Sequence, residues 1–251
     1  MKRNSAALHK RATRGRARGP GRSGDLIPPP YPASWVDRLV EGIRGLPIPS
    51  WLLYLLVCGG LLLLVIVGSW LDGSAPFGTL ALPVLYLISP VYPVGMLAAI
   101  HYADDTARRS FEAFRPALGL PPSEASRLEY QLTTLPARPA WLLGAAGAAF
   151  MLLVAYLGDV GDRFRGAPLV VSLVLALGIP GFAFTAALLY HTVRQLRLVS
   201  HIHEIATAIN LLHLTPLYAF SRLSAQSGLV FLIVAYFDFA LNPETFRNAA
   251  L

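Results

Sequence analysis

Residues 51–71, WLLYLLVCGGLLLLVIVGSWL, run from end to end without a charged side chain. As a helix rising 1.5 Å per residue, such a run is about 30 Å long, the thickness of the hydrocarbon core of a bilayer. Trp51 and Trp70 bracket it at the depths where indole rings prefer to sit. The stretch reads as a transmembrane helix, and the whole chain agrees. Of 251 residues, 55% are hydrophobic and only 14% charged, well outside the composition of soluble domains. A water-soluble fold would have to expose much of that apolar surface.

Four further stretches have the length and composition of spans: 77–101, 140–158, 168–191 and 225–241. The expected fold is all-α, a polytopic helical membrane protein with about five transmembrane helices, an amphipathic interfacial helix and cytoplasmic helical extensions. Trp141 opens the third span as Trp51 opens the first. The fifth is short and carries Gln226 and Asp238, so a helix lying along the interface is its alternative. Cys58, the only cysteine, sits inside the first span, which leaves no disulfide and no thiolate metal site to build.

Orientation follows from the cations. With the N-terminus inside, eighteen of the 21 Lys and Arg fall on inner segments and three (Arg163, Arg165 and Arg247) on outer ones. Cytoplasmic loops carry such an excess, so the expected topology in a bacterial plasma membrane is N-terminus cytoplasmic and C-terminus extracytoplasmic.

Residues 1–33 form a basic tail and a Pro-rich linker. The first 24 hold eight Lys or Arg and no acid, a composition that cannot bury enough surface to fold and is attracted to anionic inner-leaflet lipids. No specific nucleic-acid binding is expected from it. Over 34–47, Ser34 and Asp37 are spaced as a capping box, and Trp35, Leu39, Ile43 and Leu46 share one helical face. Asp37, Arg38, Glu41 and Arg44 take the other, so this helix should lie on the inner leaflet. The largest inner segment, 102–139, predicts two helices. In 192–224 the fourth span continues with Val193, Leu196, Val199, Ile202, Ile205, Ile209 and Leu212 at helical spacing. That stripe must bury itself, within the chain or against a second copy. A short tail, 242–251, closes the sequence.

Two stretches, YQLTTLPARPAWLL at 130–143 and INLLHLTPLYAFSRLSAQSG at 209–228, resemble the YxLTTLPAR and INLxxxxPLYAFS motifs of a family of uncharacterised bacterial multi-pass membrane proteins. The resemblance implies a membrane fold with a further span and a cytoplasmic coiled-coil segment. It implies no activity and no catalytic residue.

No phosphate loop, dinucleotide fingerprint, nucleophile elbow or kinase motif occurs. No catalytic residue and no cofactor is therefore expected. The candidate metal ligands are His101, Asp104, Asp105 and His191, which the spans bring to one depth at the inner interface. Their spacing matches no metal motif, and arginines flank both aspartates. His201 and His203 diverge around their helix. Trp35, Trp51, Trp70, Trp141 and Arg222 are expected as membrane anchors. Pro83, Pro90 and Pro93 in the second span, with Gly178 to Gly181 in the fourth, offer broken helices to a transporter or channel component. The leading expectation is a non-catalytic membrane scaffold or sensor-like module with a cytoplasmic protein partner or a second copy of itself. A membrane enzyme with a site at the inner interface is the remaining alternative.

Overall fold

In the computed structural model, residues 28–75, 84–158 and 166–205 are described, together with six isolated helical positions between 221 and 236. Among them 84% are helical and none lies in a strand. The capping box forms as expected. Ser34 Oγ accepts from the Asp37 amide at 3.1 Å, and the Asp37 carboxylate accepts from the Ser34 amide at 2.8 Å, which starts α1 (Trp35–Arg44). Pro49 then admits α2 (Ser50–Leu71), the first expected span.

The second apolar stretch breaks at Pro90, one of the three prolines that offered a break. It is broken into α3 (Val84–Ile88) and α4 (Val91–Leu118) by a turn at Ser89 and Pro90. Proline lacks the amide hydrogen that would continue the ladder, and Ser89 Oγ turns back onto the Tyr86 carbonyl at 3.0 Å. Residues 77–83 lie outside the described residues. α4 runs on past His101 to Leu118, where Gly119 takes the left-handed conformation (φ 61°) that ends many helices. After α5 (Pro122–Thr133), an extended Thr134 leads to Pro136 and α6 (Ala137–Leu157), which begins three residues before the expected boundary.

The fourth span and its extension are one helix, α7 (Pro168–Ile205), 38 residues long. At about 57 Å it exceeds the thickness of a bilayer's hydrocarbon core by nearly half its length. Three helices are long and apolar enough to cross a bilayer: α2, α6 and Pro168–Ile202 of α7. Of the expected fifth span, only isolated exposed positions such as Leu229, Leu232 and Tyr236 are described.

The chain has two unlike ends. At one, Asp72 caps the start of α7 by accepting from the Val170 amide at 2.8 Å, where a carboxylate also meets the positive end of the helix dipole. At the other lie α1, the starts of α2 and α6, α5 and the far halves of α4 and α7. Every arginine among the described residues is at this second end. Here Ala107, Phe111, Phe114 and Leu118 of α4 meet Leu132 of α5 and Val199 and Ile202 of α7 in a buried cluster. The α7 stripe therefore buries itself partly within the chain. Val193 and Leu196 stay exposed, because they lie around the helix from Val199 and Ile202.

α1 departs from its expected two-faced pattern and divides into three arcs. Val36 and Val40 are buried against Met96, Ile100, Leu135 and Ala187, and Asp37 and Arg44 are turned toward protein partners. Leu39 and Leu46 form an exposed apolar arc, while Arg38 and Glu41 form an exposed polar one. Such a helix fits a corner between protein, lipid and water. Trp35 sits deeper than an anchor needs. Its Nε1 donates to the Ala140 carbonyl at 3.3 Å, and its ring lies over Gly144 and beside Phe184. Trp51 and Trp141 are both 64% exposed; Trp70 is half-buried. Arg222 lies outside the described residues.

A buried polar junction as the candidate functional site

Where α1, α4, the α5–α6 turn and α7 meet, the packing changes from apolar to polar. Asp104 and Asp105 are neighbours on α4, and a helix points successive side chains about 100° apart. Asp104 therefore faces α7 and Asp105 faces α1. His191 Nε2 lies 2.7 Å from Asp104 Oδ1, with both side chains almost wholly buried. Asp105 pairs with Arg44 and stands 3.6 Å from His101 Nε2, whose Nδ1 is 3.0 Å from the Tyr54 hydroxyl.

The four candidate metal ligands thus share a depth but form two separate pairs, His191 with Asp104 and His101 with Asp105. Among the described residues no three His, Cys, Asp or Glu side chains converge as a metal ion needs. His201 lies on the surface, 3.7 Å from Glu204. The His203 side chain and His213 lie outside the described residues.

The sequence reading did not anticipate the part played by Asp37, Gln195, Arg194, Tyr31 and the α5–α6 turn. Gln195 donates to the Leu132 carbonyl at 3.1 Å and abuts His191 Nε2. Arg194 donates to the Thr134 carbonyl at 2.8 Å and to the Tyr31 hydroxyl, and its guanidinium lies 5.2 Å from the Tyr31 ring centre. The Tyr130 hydroxyl donates to the Tyr31 carbonyl at 2.9 Å. The Ala137 amide donates to the Pro32 carbonyl at 3.2 Å, beside an antiparallel bridge between Ala33 and Pro136. Asp37 Oδ2 accepts from the Leu135 amide at 3.0 Å. The segment from Tyr31 to Asp37 is strapped along the turn, and residues 130–137 of the first quoted motif form its seat. The visible signals were the two tyrosines and the extended backbone that Pro136 favours in its predecessor.

His191 Nε2 faces both Asp104 Oδ1 at 2.7 Å and Gln195 Nε2 at 2.8 Å, so the histidine tautomer and the Gln195 amide orientation are fixed together. Three buried side-chain atoms lack a hydrogen-bond partner among the described residues: His191 Nδ1, Gln195 Oε1 and Asp37 Oδ1. All three belong to this junction. An unmet buried polar atom costs about 1–3 kcal/mol, so the cluster is a local liability. Burial, and secondarily the charge of Asp104, raises the Asp37 pKa, against the hydrogen bonds from Ser34 and the proximity of His191. Burial likewise raises that of Tyr31, with Arg194 opposing.

Elsewhere α7 is locked against α6 and α4 by close approach. A Cβ on Gly147 would collide with the Phe182 carbonyl, and one on Gly181 would meet the Tyr92 ring at 2.5 Å. The Tyr92 hydroxyl pairs with Thr185 Oγ1 at 2.9 Å. The junction ties α1 to the α5–α6 turn and α7 to α4 and α5. Comparison with family models, curated proteins and solved structures finds no match for the chain.

Proposed function

We propose that the protein is a multi-pass protein of the bacterial plasma membrane, with a cytoplasmic N-terminus, that acts as a non-catalytic scaffold or sensor-like module. Its arginine-rich end presents a rigid helical lobe to a cytoplasmic partner. The observation that carries this reading is the buried cluster of Phe111, Phe114, Leu118, Leu132, Val199 and Ile202. It gives α4, α5 and α7 a core of their own beyond the span ends, which a bare membrane anchor has no need of. Leu189, Val193 and Leu196 leave an exposed apolar row on α7, at 48%, 48% and 39% exposure, leading onto that lobe. The expected break at Gly178 to Gly181 is absent, since α7 runs unbroken through Pro180, and the close approach of Gly181 to Tyr92 favours packing over a transport cavity at that level. A photo-crosslinking residue at Val193 or Leu196 in native membranes should yield an adduct with a cytoplasmic protein or a second copy. Adducts with lipid alone at both positions would overturn the reading.

A further inference from the structure

We propose that the joint between α1 and the first turn of α6 is a docking site for an anionic phospholipid, whose phosphate meets Arg38 and Arg138 while its chains lie along the exposed apolar flank of α6. The two helices are fastened to one another at this point. The Ala137 amide donates to the Pro32 carbonyl at 3.2 Å, and Trp35 Nε1 donates to the Ala140 carbonyl at 3.3 Å. Arg138 lies between the two α6 residues so held, and Arg38 follows Trp35 by one helical turn. Both arginines therefore stand within a turn of the same contact, and both are exposed.

The surface beside them is apolar. The Trp35 and Trp141 ring centres are 5.9 Å apart, and Trp141 is followed by Leu142 at 72% exposure. Leu39, a turn beyond Trp35 on α1, is exposed as well. Successive residues of a helix turn by about 100°, which puts Arg38 midway between Trp35 and Glu41, at the edge where the apolar arc of α1 gives way to the polar one. A cation on that edge lays its stem on apolar surface and holds its head in the headgroup layer.

Length and charge select the occupant. α6 is long and apolar enough to cross a bilayer, and its flank beyond Leu142 stays exposed and apolar through Phe150 and Leu153. Acyl chains fit such a flank, which a water-soluble partner does not reach. Among the described residues neither guanidinium makes an ion pair or a hydrogen bond, and Glu41, a turn from Arg38, forms none with it. Two uncommitted cations beside an exposed tryptophan and an apolar flank match a lipid of net negative charge. The site needs α6 to cross a bilayer and does not need the scaffold role.

The test is native mass spectrometry of the full chain, stripped of lipid in a neutral detergent and given phosphatidylglycerol or phosphatidylcholine in rising amounts. The wild type should hold phosphatidylglycerol at concentrations where it holds no phosphatidylcholine. Arg38→Gln and Arg138→Gln should each weaken that binding about five-fold, and together more than about ten-fold. Arg38→Lys with Arg138→Lys keeps the charge and should retain most of the affinity. Arg108→Gln with Arg115→Gln removes as much charge from the lobe and leaves the basic tail in place; it should change the affinity by less than about two-fold, since distant charges are screened. No loss in the Arg38 and Arg138 glutamine pair, an equal loss in both glutamine pairs, or equal retention of the two lipids overturns the inference. No cytoplasmic partner enters the measurement, so its failure is distinct from failure of the scaffold reading.

Discussion

Gly147 and Gly59 are the same residue in the same kind of helix, and the structure gives them opposite meanings. Between lipid-facing helices there is no hydrophobic drive to association, so affinity comes from close packing that small residues allow. At Gly147 the α7 backbone at Phe182 occupies the space of a Cβ, whereas at Gly59 and Gly60 nothing lies within 4 Å. Gly147→Ala should push α6 from α7 and cost about 1–3 kcal/mol by overpacking. Gly59→Ala should leave stability unchanged or raise it by up to ~1 kcal/mol through helix propensity. Thermal midpoints in detergent separate the two, and equal behaviour would contradict the packing described. Sequence alone does not distinguish Gly147 from Gly59, because a glycine's partner lies on another helix. The same limit hid Asp37. Its capping spacing was legible, but its inward turn depends on Leu135, 98 positions away.

At the scale of elements, the three helices long and apolar enough to cross a bilayer and the lobe obey different physics. α2 was readable almost to the residue, because a charge-free run of that length has one physical solution in a bilayer. The second apolar stretch was not, since its hydropathy is uniform while Pro90 decides where the helix breaks. The α7 stripe was visible as a period, but burial divides it, with Val199 and Ile202 inside and Val193 and Leu196 outside. The lobe core lies among exposed charges such as Arg108, Arg115 and Glu124, so ordinary aqueous burial stabilises it. Phe111, fully buried there, should cost about 3–5 kcal/mol when cut to alanine. The damage should stay local. Limited proteolysis of the Phe111→Ala variant in membranes should cut first between residues 109 and 133, with α6 still protected. Uniform resistance, or equal loss of the spans, would show that the lobe has no core of its own.

For the whole molecule, the decisive quantity is the asymmetry between its ends. The clustering of the described arginines at one end does not depend on the fifth apolar stretch, since α2, α6 and α7 each connect that end to the one that holds Asp72, Gly158 and Ala167. An odd or even number of spans beyond residue 205 changes the side of the C-terminus and leaves this polarity untouched. Two exposed serines report on it: Ser126 on α5 at the arginine-rich end and Ser74 after α2 at the other. With Cys58 replaced by alanine, a single cysteine at Ser74 should react in intact cells with a maleimide that cannot cross the membrane. One at Ser126 should react only after permeabilisation, because the side rich in arginine is retained in the cytoplasm. The reverse pattern would invert the protein and place the lobe outside, where no cytoplasmic partner could reach it. Labelling of both positions in intact cells would mean that residues 74 and 126 do not lie on opposite sides, against the end-to-end course of α2, α6 and α7.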